Sequence, residues 1–273
     1  MFGILPFGSL RLYRFAIMSE NVMSRTAIWA AACRALGSLE PDPRVRNPDS
    51  LATTLIGPDE VALLGDSALA GVWSLSYDEL SRNSELINSA HMMTARTRFI
   101  DDTLLASIHN GAKQVVILGA GFDSRAYRFS ELLQNISVFE IDHPATQEAK
   151  KARVRAALGS LPPNITYVPI DFRDAGLDGL LAAASYKKNE ITFFNWEGVT
   201  MYLPAKDVTN ILQWVASNSA PGSTIVFDYT YASVIRLLGD IDLTRLPEKT
   251  RVILTRFQTL TQNELWGFGL PDR

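Results

Sequence analysis

The chain has 273 residues, 47% hydrophobic and 20% charged, which suits one large α/β domain with a sizeable core and excludes a disordered or collagen-like chain. Lys and Arg number 26 against 29 Asp and Glu, a net charge of −3, so the basic face that nucleic acid or an anionic membrane needs is missing. Cys33 is the single cysteine and His91, His109 and His143 are the three histidines, which exclude an intrachain disulfide and a thiolate zinc cage and disfavour a histidine metal site.

This cysteine usage fits a reducing, cytoplasmic compartment. The opening stretch, Met1–Ile17, is apolar but broken by Arg11 and Arg14, with no small-residue cleavage site after it. We read residues 1–17 as an upstream extension from start-site choice, ahead of an amphipathic helix or an export segment. Met18-Ser-Glu-Asn then opens a more usual soluble start, and no later segment approaches the ~20 uncharged apolar residues of a membrane span.

From there to about Asn110 the chain reads as helices and loops, a helical cap over residues 18–110. Ala27–Leu36 is Ala-rich and helical, and the prolines of Glu40–Pro48 break any regular element. Met92–His109 reads as a helix whose Met92, Phe99, Ile100, Thr103, Leu104 and Ile108 share a face, with Gly111 ending it.

Beyond Lys113 short apolar runs alternate with helical stretches. The strands are Gln114–Leu118, Ile136–Ile141, Ile165–Ile170, Ile191–Asn195 and Ser223–Asp228. Between them Asp123–Leu133, Pro144–Leu158, Asp174–Ala184 and Pro204–Ser219 are helix-compatible, with prolines at two helix starts. That alternation implies a parallel sheet with helices on both faces, whose ligand lies outside the carboxyl ends of the strands. Residues 111–273 form this domain.

The motifs fall at those ends. Gly119 and Gly121, in Leu118-Gly-Ala-Gly-Phe-Asp-Ser-Arg125, let the backbone turn tightly against a ligand, and Asp123 can cap the next helix. A dinucleotide fold asks for a third glycine where Ser124 stands, and Asp123 would put negative charge near its pyrophosphate. S-adenosylmethionine has no phosphate to repel. In Glu140-Ile-Asp142 both acids share a strand face, and the later one, Asp142, is placed to accept ribose hydroxyls. Asp171 and Phe172 end the third strand and suit adenine. Glu197, just past the fourth strand beside Gly198, needs a cation, for which the ammonium of a methionine moiety is a candidate. Arg96 could hold a carboxylate with its fork. Together these residues make an inventory of S-adenosylmethionine.

The segments Thr94-Ala-Arg-Thr-Arg-Phe-Ile-Asp-Asp102, Leu118-Gly-Ala-Gly-Phe-Asp-Ser-Arg-Ala-Tyr-Arg128, Phe139-Glu-Ile-Asp-His-Pro144 and Glu197-Gly-Val-Thr-Met-Tyr-Leu203 resemble the leucine carboxyl methyltransferase family. Ser24-Arg-Thr-Ala27 and Asn47-Pro-Asp-Ser-Leu-Ala52 resemble its N-terminal cap. The resemblance implies a class I methyltransferase, Rossmann-like fold and S-adenosylmethionine-dependent O-methylation. By position, it implies that Arg96 holds the cofactor carboxylate, Gly119 lines the methionine part, Asp142 binds ribose, Asp171 and Phe172 flank adenine, and Glu197 takes the amino end. The chain departs from the family where a lysine near the cap is matched by Ser24, and where the sequence ends before strands six and seven, which leaves the fifth strand as a sheet edge.

The chemistry implied is displacement at a sulfonium methyl by a carboxylate or hydroxyl oxygen of a small molecule or peptide terminus, without a metal, nucleic acid or membrane. Tyr202 and His143 are the nearest candidate bases, and neither is assigned. Tyr229, Tyr231 and Trp266 could line the acceptor pocket. Rival readings are a catalytically silent binding protein and an NAD-dependent oxidoreductase.

Overall fold

The computed structural model describes residues 23–64, 69, 71–171, 177–240, 242–248, 250–251, 254–255, 266 and 268–272. The expected extension at 1–17 and the candidate Phe172 lie outside the described residues.

Five strands form the sheet: β1 (Gln114–Leu118), β2 (Ser137–Asp142), β3 (Ile165–Pro169), β4 (Thr192–Trp196) and β5 (Thr224–Phe227). Their spatial order is β3-β2-β1-β4-β5 and every pairing is parallel, with Val116 beside Phe139 on one side and Phe194 on the other. β1 and β4 are buried along their whole length. That explains their unbroken apolar runs, because a parallel sheet is covered on both faces.

Alternation along the strands sends side chains to two cores. Val115, Ile117, Val138 and Phe193 join one, and Val116, Leu118, Phe139, Phe194 and Trp196 the other. The first core is closed by α1 (Arg25–Ser38), by α2 (Ser84–His109) and by Val154 of α3 (Pro144–Leu158). The second takes Leu177 and Leu181 of α4 (Leu177–Ala183) and Val208, Ile211 and Val215 of α5 (Ala205–Ser217).

The helix starts have local causes. The Ser24 hydroxyl accepts from the Ala27 N–H at 3.0 Å, and Asn83 Oδ1 accepts from the Leu86 N–H at 3.2 Å. Pro144 occupies the first turn of α3, and Gly159, at φ +80°, closes it.

Two expectations are corrected. The α2 face toward the core is Met93, Thr97, Ile100, Asp101 and Leu104, while Met92 and Phe99 are 56% and 64% exposed. The buried stripe includes polar residues that hydrophobicity alone excludes, so the apolar spacing selected the wrong neighbours. The stretch Asp123–Leu133 is not one helix but two short turns, Arg125–Arg128 and Ser130–Leu133, meeting at Phe129.

β5 has a described partner on one side only, and its residues are half-buried. Residues near its end meet the last described segment: the Leu270 N–H donates to the Thr230 carbonyl at 3.0 Å, and the Ala232 N–H, opening α6 (Ala232–Asp240), donates to the Leu270 carbonyl at 2.8 Å. No described helix is long and apolar enough to cross a membrane.

Candidate cofactor site

The chain leaves β1 toward β2 and β3 and returns to β4 on the other side, so the strand order switches between β1 and β4. A crevice opens outside the strand ends at such a switch. Gly119 and Gly121 follow β1 there, Asp142 ends β2, Asp171 lies just beyond β3 and Glu197 follows β4.

The glycine turn needs glycine for two separate reasons. Gly119 and Gly121 have φ of +69° and +45°, and a Cβ at Gly119 would overlap the Val199 Cγ2 methyl. Gly119 and Ala120 N–H groups both donate to the Ile141 carbonyl, at 2.8 and 2.9 Å, which ties the turn to the end of β2. Asp142 tightens the tie: one carboxylate oxygen accepts from the Gly121 N–H and the other from the His143 N–H at 2.6 Å. Burial pushes the Asp142 carboxyl up, against those two backbone donors. Four lone-pair sites on a carboxylate leave acceptor capacity for ribose hydroxyls.

Glu140, its neighbour on the same strand face, has a different occupation. It is buried, paired with Lys150 at 2.8 Å and within 3.2 Å of the Tyr127 hydroxyl. Burial raises its carboxyl to about 7 even with Lys150 opposing. His143 is taken up by local structure, its Nδ1 accepting from the Ala145 N–H at the start of α3 at 3.4 Å.

At the β4 end charges converge. Arg96, reaching from α2, lies 2.7 Å from Glu197 through Nε and 2.6 Å from Asp228 through Nη1. Arg125 donates to Glu197 at 2.7 Å and to Asp101 at 2.8 Å, and also pairs with Asp123. Burial would raise Glu197, but Arg96 and Arg125 overcome it and hold the carboxyl well below its usual range. Asp123 therefore does more than cap a turn: it accepts from the Arg125 N–H at 2.7 Å, and the Asn195 amide donates to it at 3.0 Å.

A second layer fastens the cap to the glycine turn. Arg34 of α1 donates to the Phe122 carbonyl at 2.7 Å and to Asp49 at 2.8 Å. Ser124 donates to Asp49 at 2.5 Å, and Arg128 spans Ser124 and Asp101.

Arg96 and Glu197, assigned by sequence to opposite ends of a zwitterion, thus contact each other. Their approach of 2.7 Å is an ion pair without an aligned hydrogen bond, since Arg96 Nε and Glu197 Oε1 are both buried without a hydrogen-bond partner. Arg125 Nη2 and Asn195 Oδ1 share that condition. Opposite charges gathered beside the glycine turn fit a group bearing both an ammonium and a carboxylate. Asp171 is half-buried at the β3 end. Among the described residues no three His, Cys, Asp or Glu side chains are grouped to hold a metal ion.

Sequence reasoning left Asp228, Arg125, Asp101, Asp49 and Arg34 without roles. Three of them, Asp49, Asp101 and Arg125, stood inside quoted motifs, and their place in those motifs was the available signal. Asp228 ends the expected fifth strand, the same strand-end signal as Asp142, but only the sheet shows that it reaches Arg96.

The leucine carboxyl methyltransferase family model matches residues 27–216, most of this chain. The chain belongs to that family. A relative in Bacillus subtilis named "Putative S-adenosyl-L-methionine-dependent methyltransferase YktD" is 40% identical over 81% of this chain and 76% of its own length. A "Putative S-adenosyl-L-methionine-dependent methyltransferase" of Mycolicibacterium vanbaalenii is 35% identical over 75% of this chain and 65% of its own. The chain spans 65%, 61% and 64% of the length of three of the mycobacterial relatives, slightly less than two thirds. A solved "putative methyltransferase" from Thermobifida fusca covers 93% of this chain and 77% of that chain, at 15% identity and a TM-score of 0.47.

Proposed function

We propose that this member of the leucine carboxyl methyltransferase family is an S-adenosyl-L-methionine-dependent methyltransferase acting on a carboxylate or hydroxyl oxygen of a small molecule or peptide terminus. The observation that carries the reading is the meeting of Arg96 and Glu197, one charge of each sign, past the β4 end beside the glycine turn. In this reading Arg96 holds the cofactor carboxylate and Glu197 its ammonium. The turn at Gly119 and Gly121 lines the methionine chain with backbone, Asp142 accepts the ribose hydroxyls, and Asp171 and Phe172 serve the adenine. When bound, the cofactor supplies a sulfonium methyl, already a good electrophile.

The chain's own contribution is then mainly positioning, since an in-line approach of the acceptor oxygen can supply most of the rate. A carboxylate acceptor needs no base, whereas a hydroxyl gains from one. We assign none: His143 is engaged at a helix start, and Tyr202 stands beside the Trp266 ring at 6.4 Å. Tyr229 and Tyr231, half-exposed with ring centroids 5.7 Å apart, offer aromatic surface near the β5 end for the acceptor.

Calorimetry with S-adenosylhomocysteine and NADH tests the cofactor. We expect binding of the first alone, and binding of NADH alone would overturn the reading. Asp142→Ala should weaken S-adenosylhomocysteine by ~1–3 kcal/mol, the usual loss for a hydrogen bond to a charged group, and an unchanged affinity would remove the ribose role. Label transfer from methyl-labelled cofactor into a metabolite extract tests catalysis against silent binding. O-methylation is expected, and products labelled only on nitrogen or carbon would overturn it.

A further inference from the structure

Asp228 follows β5 and lies 132 residues from Arg96 in sequence, yet its two carboxylate oxygens divide between two site elements. Oδ2 accepts from Arg96 Nη1 at 2.6 Å, and Oδ1 accepts from the Gly198 N–H at 2.7 Å. Its own carbonyl accepts from the Thr200 hydroxyl at 2.6 Å. Gly198 has φ +70°, and a Cβ there would sit 3.8 Å from Arg96 Nη2, so the guanidinium rests against the glycine. The Arg96 and Asp228 side chains are 22% and 26% exposed, against 9% for Glu197. Asp228 is therefore the more exposed of the two acids that meet Arg96, and Glu197 the more buried.

Without Asp228, Arg96 would keep one carboxylate partner, Glu197, and at Nη2 only the weak acceptor of the Met93 sulfur at 3.0 Å. A guanidinium folded onto Glu197 would cover the acid meant for the ammonium and withdraw the donors meant for the carboxylate. Resting on the cofactor reading above, we propose that Asp228 is a positioning residue: by accepting from Arg96 Nη1 and from the Gly198 N–H it fixes the guanidinium against the Gly198 turn, beside Glu197, so that the site recognises the amino-acid end of the cofactor, as distinct from its nucleoside.

The test compares S-adenosylhomocysteine with 5′-methylthioadenosine, which keeps the nucleoside and thioether but lacks the amino-acid end. Asp228→Asn should weaken S-adenosylhomocysteine roughly ten-fold or more, as expected for losing a charge-assisted contact, and leave 5′-methylthioadenosine within about two-fold. Asp228→Ser should show the same selectivity, and guards against one variant failing to fold. Equal loss of both ligands would overturn the proposal, since it marks a general structural role; so would unchanged binding of both. If the wild-type chain itself bound 5′-methylthioadenosine but not S-adenosylhomocysteine, the amino-acid subsite would fail as a whole. Binding of neither would instead sink the cofactor reading.

Discussion

Single residues in this site are constrained by backbone conformation and by charge, and the two can be tested separately. Gly119→Ala meets both a left-handed φ and the Val199 methyl. It should cost more than ~1 kcal/mol of stability, and Val199→Ala should recover only the steric part, as read by denaturant midpoints of the single and double variants. Charge gives a pH signature. Burial lifts Glu140 to about 7 in the fold, from an ordinary value of 4.5. Its carboxyl thus holds a proton in the native state that the unfolded chain has lost. The associated stability is full below about pH 4.5 and disappears as pH rises to 7. Glu197 has the opposite sign: Arg96 and Arg125 hold it low against burial, so its contribution is present above the usual carboxylate range and is lost on acidification. Unfolding free energies measured at pH 5 and pH 7 should therefore fall less steeply in Glu140→Gln than in the wild type. Identical slopes would contradict the assignment.

At the scale of elements, α2 is where hydrophobic pattern and structure part. Leu104 is fully buried and Phe99 is 64% exposed, although both looked like core in the sequence. Leu104→Ala should cost ~2–5 kcal/mol and Phe99→Ser less than about 0.5 kcal/mol, measured by chemical unfolding. The strands were far more legible, since β1 matches its expected range and the other four differ by one residue at one or both ends. Short apolar runs bounded by turn residues leave little freedom for a buried parallel strand. The same holds for α3, whose Pro144 start and Gly159 end are local signals. Arg96, Asp142 and Glu197 were legible as candidates because they sit at fixed offsets from strand ends or in family motifs. The contacts of Asp228 with Arg96 and of Arg34 with the Phe122 carbonyl were not, because they span 132 and 88 residues and depend on the folded topology. The break at Phe129 was hidden for another reason: Asp123–Leu133 contains no proline or glycine to announce it.

For the whole molecule the decisive feature is that the helices before residue 111 and one face of the sheet share a core. Ile28, Leu36 and Leu104 pack in the same cluster as Val115, Ile117 and Phe193. The charged layer of Arg34, Asp49, Ser124 and Arg128 binds the same two parts at their polar rim. We expect the cap and the sheet to unfold together. Fluorescence of Trp29 and Trp73 in the cap and of Trp196 and Trp214 near the sheet, isolated by Trp→Phe variants, should give coincident transitions with far-UV dichroism. Separate midpoints would show two independently stable parts.

The mutual contact of Arg96 with Glu197 and Asp228 bears on which visitors the crevice admits. A stray chloride approaching Arg96 meets two carboxylates, and a sodium or ammonium ion approaching Glu197 meets the guanidiniums of Arg96 and Arg125. Neither can improve on the neighbour it would displace, so ordinary electrolytes gain little foothold. A dipolar visitor that presents both signs at matching separation exchanges both neighbours at once and strands no group. Discrimination against simple salts is built into the pairing, before any contact with a base or a sugar is made.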